Sequence, residues 1–246
     1  MSLYAISDLH LAKGVYKPMD IFGGRWQGYM EKIEKNWRAM ISEDDTVVIG
    51  GDVSWGINLE QAREDFLLLN SLPGKKILLK GNHDLWWSTV SKMKRFFEEN
   101  NIKNMDFLFN NCFIYDNIGI CGTRGWFFEE NFKECHDEKI FQRELIRLET
   151  SLKAAAAQGA EEIYCFLHYP PIFPSFRCGE IIELMKRYGV TRCIYGHLHS
   201  DSLRYAVTGE QEGIEFILTS GDYINFIPVL LKKTEEPSGK TENNLI

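Results

Sequence analysis

Short apolar runs that alternate with helix-like segments narrow the possible folds of this chain more than any other feature. Five such runs have the length and composition of buried strands: residues 3–6, 46–49, 77–79, 163–167 and 192–195. Segments with apolar residues at helical spacing lie between most of them, such as residues 29–41 with Ile33 and Trp37. Strands that alternate with helices are typical of an α/β protein, so we expect this class.

The remaining elements fit one domain followed by a polar tail. Further helices are expected at residues 60–72, 87–100, 137–158 and 180–188. Turn signals between residues 107 and 122 indicate a β-hairpin or meander, and the last strands are expected near 205–207, 215–219 and 226–231. We therefore place one domain at residues 1–231. Residues 232–246 are polar and include Pro237, Ser238 and Gly239, so we expect a disordered tail.

Composition and charge argue against several classes of function. The 246 residues are 44% hydrophobic with a net charge of -7, which allows a sizeable core and gives no global basic field for nucleic acid or anionic lipid. The N-terminus lacks the pattern of an export signal, and no apolar run approaches the ~18 residues that span a bilayer. We expect a cytoplasmic protein with no membrane partner. None of the six cysteines forms a C-x-x-C pair, which favours reduced, mostly buried thiols.

Each of the five predicted strands ends in side chains of the types that bind metal ions. They are Asp8 and His10, Asp52, Asn82 and His83, His168, and His197 and His199. Five of the six histidines of the chain belong to this set. The carboxyl ends of strands in an α/β sheet lie along one edge, where ligands bind, so these side chains can converge on one point. Turn formation alone would explain an isolated Asn or Asp, but not five such strand ends.

The donor types indicate which ions would fit. Imidazole nitrogens with carboxylate and amide oxygens, and no thiolate, suit Mn, Fe or Zn. Seven ligands exceed the capacity of one tetrahedral site and suit two ions that share a bridging carboxylate, an arrangement used for in-line displacement at phosphorus. Gly51, Gly81 and Gly196 precede ligands, where tight turns bring the backbone close to the site.

The ordered motifs resemble those of the calcineurin-like metallophosphoesterase superfamily. The matching positions are Asp8-x-His10, Gly51-Asp52, Gly81-Asn82-His83-Asp84, His168 and Gly196-His197-x-His199. The resemblance implies a four-layer α/β/β/α sandwich with two central, mainly mixed β-sheets. It also implies a hydrolase that acts on phosphate ester bonds, in which a metal-bridging hydroxide attacks in line.

The resemblance further implies a role for each residue. Asp8, His10 and His199 would hold the first metal ion. Asn82, His168 and His197 would hold the second, with Asp52 bridging both. His83 would act as general acid toward the leaving group, and Asp84 would orient it and favour its protonated form.

One departure from the family bears on the substrate. Protein Ser/Thr phosphatases of this superfamily usually continue the second motif into Asp-Arg-Gly and end the third in Glu, whereas here Val53 follows Asp52 and the third motif ends in Asp84. This difference argues against phosphoprotein substrates and favours a small phosphomonoester or phosphodiester. Arg124 is the candidate that would replace the missing arginine, and Asn82 is a second candidate for substrate binding.

Two alternatives remain beside the small-ester phosphoesterase. A nuclease would need a groove for a polyanion, to which the small basic cluster of Lys92, Lys94 and Arg95 would have to contribute. A non-catalytic scaffold of the same fold would be expected to lack ligands or the acid histidine. The aromatic residues Trp126, Phe127 and Phe128 fit either a pocket wall or ordinary core packing.

Overall fold

The structure is a computed structural model that describes residues 1–126 and 135–234. It contains thirteen strands and five α-helices within these ranges. In chain order they are β1 (Ser2–Ile6), α1 (Tyr29–Met40), β2 (Thr46–Ile49), α2 (Leu59–Ser71), β3 (Lys75–Leu78), α3 (Val90–Glu99), β4 (Met105–Phe107), β5 (Phe113–Tyr115), β6 (Ile118–Thr123), α4 (Cys135–Ala157), β7 (Glu162–Leu167), β8 (Ile172–Phe173), β9 (Phe176–Arg177), α5 (Gly179–Arg187), β10 (Val190–Tyr195), β11 (Gly209–Gln211), β12 (Ile214–Leu218) and β13 (Val229–Lys233). Three short 3₁₀ helices lie at Asp20–Phe22, Gly24–Trp26 and Ser200–Tyr205.

Two mixed sheets form the centre of the molecule. The first has five strands in the order β13-β1-β2-β3-β4, and the second has six in the order β11-β12-β10-β7-β6-β5. The inner pairs of both sheets are parallel, whereas β13, β5 and β11 pair antiparallel at the sheet edges. The inner strands of each sheet therefore end on one side, which gives each sheet a single edge of carboxyl ends.

Alternation along the strands produces the four layers. In β1, Tyr4 and Ile6 pack among the residues of α1, α2 and α3, while Leu3 and Ala5 pack against the second sheet. The second sheet buries its other face, including Cys165 and Leu167, against α4 and α5. Burial of an aliphatic side chain such as Leu3, which is fully buried, contributes about 1.5–3 kcal/mol. The α/β/β/α sandwich with two mixed sheets is confirmed.

Two sequence-based boundaries differ from the structure. The predicted strand at 205–207 is wrong, because a 3₁₀ helix occupies Ser200–Tyr205 and both backbone groups of Val207 bond to the Tyr195 hydroxyl instead of a strand. The strand β13 continues to Lys233, which pairs with Ser2, so the last strand passes the predicted domain end at 231. The predicted tail falls largely on residues 235–246, which lie outside the described residues.

Cys112, Cys121, Cys165, Cys178 and Cys193 are free and buried, in agreement with the expectation for the described cysteines. Within the described ranges, the helices are too short or too polar to cross a bilayer.

Candidate metal centre

The strand ends of both sheets meet through Asp8 and His197. Asp8 follows β1 of the first sheet, and its carboxylate accepts a hydrogen bond from the backbone N–H of His197, which follows β10 of the second sheet. Its Oδ2 atom also accepts hydrogen bonds from the hydroxyls of Ser7 at 2.7 Å and Ser220 at 3.0 Å. Asp8 is thus fixed at the junction of the two sheets.

Asp52 lies at the centre of the cluster. Its Oδ2 is 3.7 Å from Nε2 of His10 and 3.5 Å from Nε2 of His168, and all three side chains are almost completely buried. Its Oδ1 accepts a hydrogen bond of 2.8 Å from the backbone N–H of His83. A carboxylate between one histidine from each expected ligand group has the position that a bridging ligand requires.

Asn82 links His197 to this centre through His168. Its Oδ1 lies 2.7 Å from Nε2 of His168 and 2.9 Å from Nδ1 of His197. On the other side, the rings of His10 and His199 are 5.5 Å apart. All seven predicted ligand residues therefore lie in one cluster.

Two sets of ligand atoms within this cluster are close enough to hold a cation. Atoms of Asp8, His10 and His199 lie within 4.8 Å of one another, and so do atoms of Asp8, Asp52 and His168. The first set is the group expected for the first metal ion. The second contains the expected bridging carboxylate and one expected ligand of the second ion.

Several of these residues have a strained backbone conformation that surrounding contacts hold in place. Asp8, His10, Asp52 and His197 have φ angles of 55°, 46°, 52° and 70°, a region that residues other than glycine seldom adopt. Such conformations persist only where surrounding contacts fix them, and they concentrate at functional sites. Here the backbone N–H of Asp8 bonds to the carbonyl of Gly51, and that of His10 bonds to the carbonyl of Asp52.

The glycines before the ligands allow the loops to touch. A Cβ at Gly81 would collide with the carboxylate and the backbone nitrogen of Asp52, and one at Gly51 would lie 2.6 Å from Nδ1 of His168. The expected close approach of the backbone at these two positions is present.

The residues fit a metal ion because several buried polar atoms in the cluster have no hydrogen-bond partner among the described residues. Both ring nitrogens of His10 and the Oδ2 atom of Asp52 are buried without a hydrogen-bond partner among the described residues. Nδ1 of His168 is 3.1 Å from the carbonyl of Gly50, which can only accept, so that nitrogen carries the proton and Nε2 faces Asp52 and Asn82 with its lone pair. Buried polar atoms without partners are costly, and a cation would satisfy Oδ2 of Asp52 and the unprotonated ring nitrogens of His10 and His168.

The protonation states of the buried groups suit the same ligand. Burial lowers the pKa of His10 well below its usual range, and it lowers the pKa values of His168 and His197 to about 3. These imidazoles are therefore neutral at pH 7, which is the form that binds metals. Burial raises the pKa of Asp52, and the carboxylates of Asp84 and Asp8 add to this effect. A bound cation would offset the cost of ionising that carboxyl group.

His83 lies at the side of the cluster, between aromatic rings. Its ring is partly exposed and lies 4.6 Å from the ring of Trp55 and 5.5 Å from that of His10. Burial and the nearby His199 lower its pKa, and these effects outweigh the opposing effect of Asp8. The net effect is thus opposite to the expected stabilisation of the protonated form, and the carboxylate that favours this form is Asp8.

The hydrogen bonds of Asp84 explain this difference. Its carboxylate accepts from the backbone N–H groups of Asp52, Val53, Ser54 and Gly81, and from Nε1 of Trp86. Its oxygens are directed at the two loops after β2 and β3, which carry Asp52 and Asn82, instead of the His83 ring. The predicted role of Asp84 is thus corrected from orienting His83 to holding two ligand loops together.

Arg124 lies beside the ligand loop after β7. Its carbonyl accepts hydrogen bonds from the backbone N–H groups of His168 and Tyr169, at 3.1 and 2.9 Å. Its guanidinium lies 4.9 Å from the ring centre of Trp126 and 3.8 Å from Glu144. The other two aromatic residues of the predicted loop, Phe127 and Phe128, lie outside the described residues.

Two residues after β12 also belong to the site and were missed from the sequence. Ser220 bonds to the carboxylate of Asp8, and the buried Asp222 accepts a hydrogen bond of 2.8 Å from the backbone N–H of Ser200, next to His199. Both follow a predicted strand, so the strand-end rule applied to 215–219 would have found them.

Fold and site together define a protein with a two-sheet sandwich and a candidate metal cluster at the carboxyl ends of its strands. The sequence profile of the calcineurin-like phosphoesterase family matches residues 1–201, which include every predicted site residue. The chain belongs to the calcineurin-like phosphoesterase family.

Two solved structures align with most of this chain at low sequence identity. The protein of unknown function AQ665 from Aquifex aeolicus is 18% identical over 93% of this chain and 95% of its own, with a TM-score of 0.49. Another crystal structure is 13% identical over 88% of this chain and 89% of its own, with a TM-score of 0.53, and supports the fold. No curated protein sequence matches the chain.

Proposed function

We propose that this protein is a metal-dependent phosphoesterase that hydrolyses a small phosphomonoester or phosphodiester. The observation that carries the proposal is a group of buried polar atoms around Asp52. Its Oδ2 and the ring nitrogens of His10 have no hydrogen-bond partner among the described residues. Asp8, His10 and His199 would hold one ion, and Asn82, His168 and His197 the other, with Asp52 between them. Two divalent or trivalent ions of Mn, Fe or Zn would supply Lewis-acid charge and a hydroxide nucleophile at neutral pH.

The protein's own residues would bind the substrate and deliver a proton. Asn82 and Arg124 are assigned to substrate binding. His83 is assigned as general acid, because its partly exposed ring lies beside the cluster. Its hydrogen bond to Asp52 is made by the backbone N–H and leaves the ring free of that carboxylate. Since burial lowers the pKa of His83, less of it is protonated at neutral pH. Turnover that depends on this proton should therefore rise toward acidic pH, as long as the metal ligands remain bound.

The test compares p-nitrophenyl phosphate and its bis ester in Mn-supplemented buffer, with and without EDTA. The proposal predicts turnover that EDTA abolishes, and a preference between the two esters would assign the monoesterase or diesterase class. Absence of turnover on both esters by protein that contains metal would contradict it.

A His83→Ala variant separates a catalyst from a scaffold. Loss of a general acid costs about 10²–10⁴-fold in rate, and the loss should be largest for alkyl phosphates, whose leaving groups need protonation most. Metal content should stay at the wild-type level. Equal losses on alkyl and nitrophenyl esters would remove the acid role from His83.

A further inference from the structure

A second polar cluster lies around the buried carboxylate of Glu144. Lys80, Arg124 and Arg147 surround a cavity of about 40 Å³ that Glu144 also lines. Glu144 is 1% exposed and contacts Arg147 at 2.5 Å and Arg124 at 3.8 Å. Thr123 donates its hydroxyl proton to the other oxygen of the same carboxylate. The cavity thus has three cationic side chains and one carboxylate.

The positive charge of this cluster exceeds what its carboxylate can balance. Both oxygens of Glu144 already accept hydrogen bonds, one from Arg147 and one from Thr123. Nε of Arg124 is buried without a hydrogen-bond partner, and Lys80 makes no side-chain hydrogen bond or ion pair, in each case among the described residues. Unpaired N–H donors around a cavity are the groups that bind a phosphoryl group through charge-assisted hydrogen bonds.

The size and walls of the cavity favour one compact anion. A volume of about 40 Å³, at about 10–15 Å³ for each water-sized sphere, has room for about three oxygen-sized groups. Phe109 lies under the guanidinium of Arg147 at 5.0 Å and closes one side. These dimensions suit the terminal oxygens of a single phosphoryl group more than a polyanion chain.

The cavity is connected to the ligand loops through the backbone. Lys80 precedes Asn82 by two residues at the end of β3, and the carbonyl of Arg124 holds the N–H of His168. One loop that borders the cavity therefore carries Asn82, and the other is hydrogen-bonded to the loop that carries His168. A molecule bound at the metal cluster could extend a second group into the cavity.

We propose that Lys80, Arg124 and Arg147 form a subsite for a second phosphoryl group of the substrate, which would make the preferred substrate a bisphosphate. This inference rests on the proposed phosphoesterase function for the place of the reacting ester. It narrows the substrate class from small phosphate esters to esters with two phosphoryl groups on one carbon skeleton.

The kinetic test uses α,ω-alkanediol bisphosphates with two to six carbons, each compared with the monophosphate of the same diol. At the chain length that spans the two sites, KM for the bisphosphate should be about tenfold lower or more, because new charge-assisted hydrogen bonds form only with the second phosphoryl group. The Lys80→Met variant should reduce this KM ratio to near one, and Arg147→Met should do the same. Arg143→Met, an exposed position on the same helix, should keep the wild-type ratio.

A binding measurement tests the subsite without turnover. Calorimetric titration of the metal-free protein with inorganic phosphate should show binding that Lys80→Met weakens about tenfold or more and that Arg143→Met leaves unchanged. Lys80→Met is the decisive variant because it removes no described ion pair. Arg147→Met removes the ion pair with Glu144, so the thermal stability of this variant must also be measured.

The outcomes separate the two proposals. Turnover of monophosphates without a bisphosphate preference at any chain length, or a preference that survives Lys80→Met, overturns the subsite alone. Absence of turnover on every ester contradicts the proposed function, while phosphate binding by the metal-free protein still decides the subsite. Failure of the metal-free protein to bind phosphate contradicts it.

Discussion

Replacement of Asp84 by Asn should destabilise the protein strongly, because the carboxylate uses both oxygens as acceptors. Oδ2 accepts from the backbone N–H groups of Asp52 at 2.8 Å and Gly81 at 2.7 Å. Oδ1 accepts from the N–H groups of Val53 and Ser54 and from Nε1 of Trp86. An amide keeps one acceptor oxygen, so at least two buried N–H groups lose their partner.

The magnitude follows from the cost of unpaired donors. Each buried N–H that loses its acceptor costs about 1–3 kcal/mol, so Asp84→Asn should lower the free energy of unfolding by about 2–6 kcal/mol. Urea denaturation in EDTA, followed by circular dichroism, measures this quantity without a contribution from bound metal. Asp106→Asn is a matched control, since its side chain is 40% exposed and should change stability by about 0.5 kcal/mol or less.

The same variant distinguishes the two roles considered for Asp84. If it holds the loops after β2 and β3, metal affinity should fall together with stability, because those loops carry Asp52 and Asn82. If it acts through His83, stability should remain near wild type and only the pH profile of turnover should change. A free energy of unfolding within about 0.5 kcal/mol of wild type would falsify the account of Asp84 given above.

Three further outcomes are expected. Gly81→Ala should weaken metal binding and lower stability by about 1–3 kcal/mol in urea titrations, because its Cβ would collide with Asp52, whereas Gly24→Ala has open space and should be silent. In the folded protein, burial lowers the pKa of His168 to about 3, whereas the unfolded chain has a histidine pKa of ~6.5. In EDTA, the unfolded chain therefore takes up a proton at His168 as the pH falls below ~6.5, and the folded protein loses stability. From pH 6.5 to 5, wild type should therefore lose about 2 kcal/mol more than His168→Gln, and equal slopes would contradict the assignment. The five buried thiols should react with Ellman's reagent at pH 8 only after unfolding, since burial raises the pKa of Cys121 to about 12.

The general plan of the fold was predictable because local patterns specify it. Apolar runs such as Thr46–Ile49 and helical spacing such as that of Ile33 and Trp37 are satisfied by the same elements in the structure. The convergence of Asp8, Asp52 and His168 was predictable for a similar reason, since parallel strands place their carboxyl ends at one edge. The position of a residue directly after a predicted strand is enough to place it at this edge.

Features that depend on where backbone groups point were not predictable. The acceptor role of Asp84 requires N–H groups from two loops that are distant in sequence to face one carboxylate. The failed strand at 205–207 has the same origin, because the hydroxyl of Tyr195 satisfies the backbone of Val207. The lowered pKa of His83 depends on burial beside Trp55, which no local pattern indicates.

Anomalous diffraction from crystals grown with Mn²⁺ would show directly whether two metal ions bind around Asp52. We expect two peaks about 3.5–4 Å apart, on either side of the Asp52 carboxylate, with His10 and His168 each next to one peak. A single peak away from Asp52, or no peak within bonding distance of these side chains, would contradict this expectation.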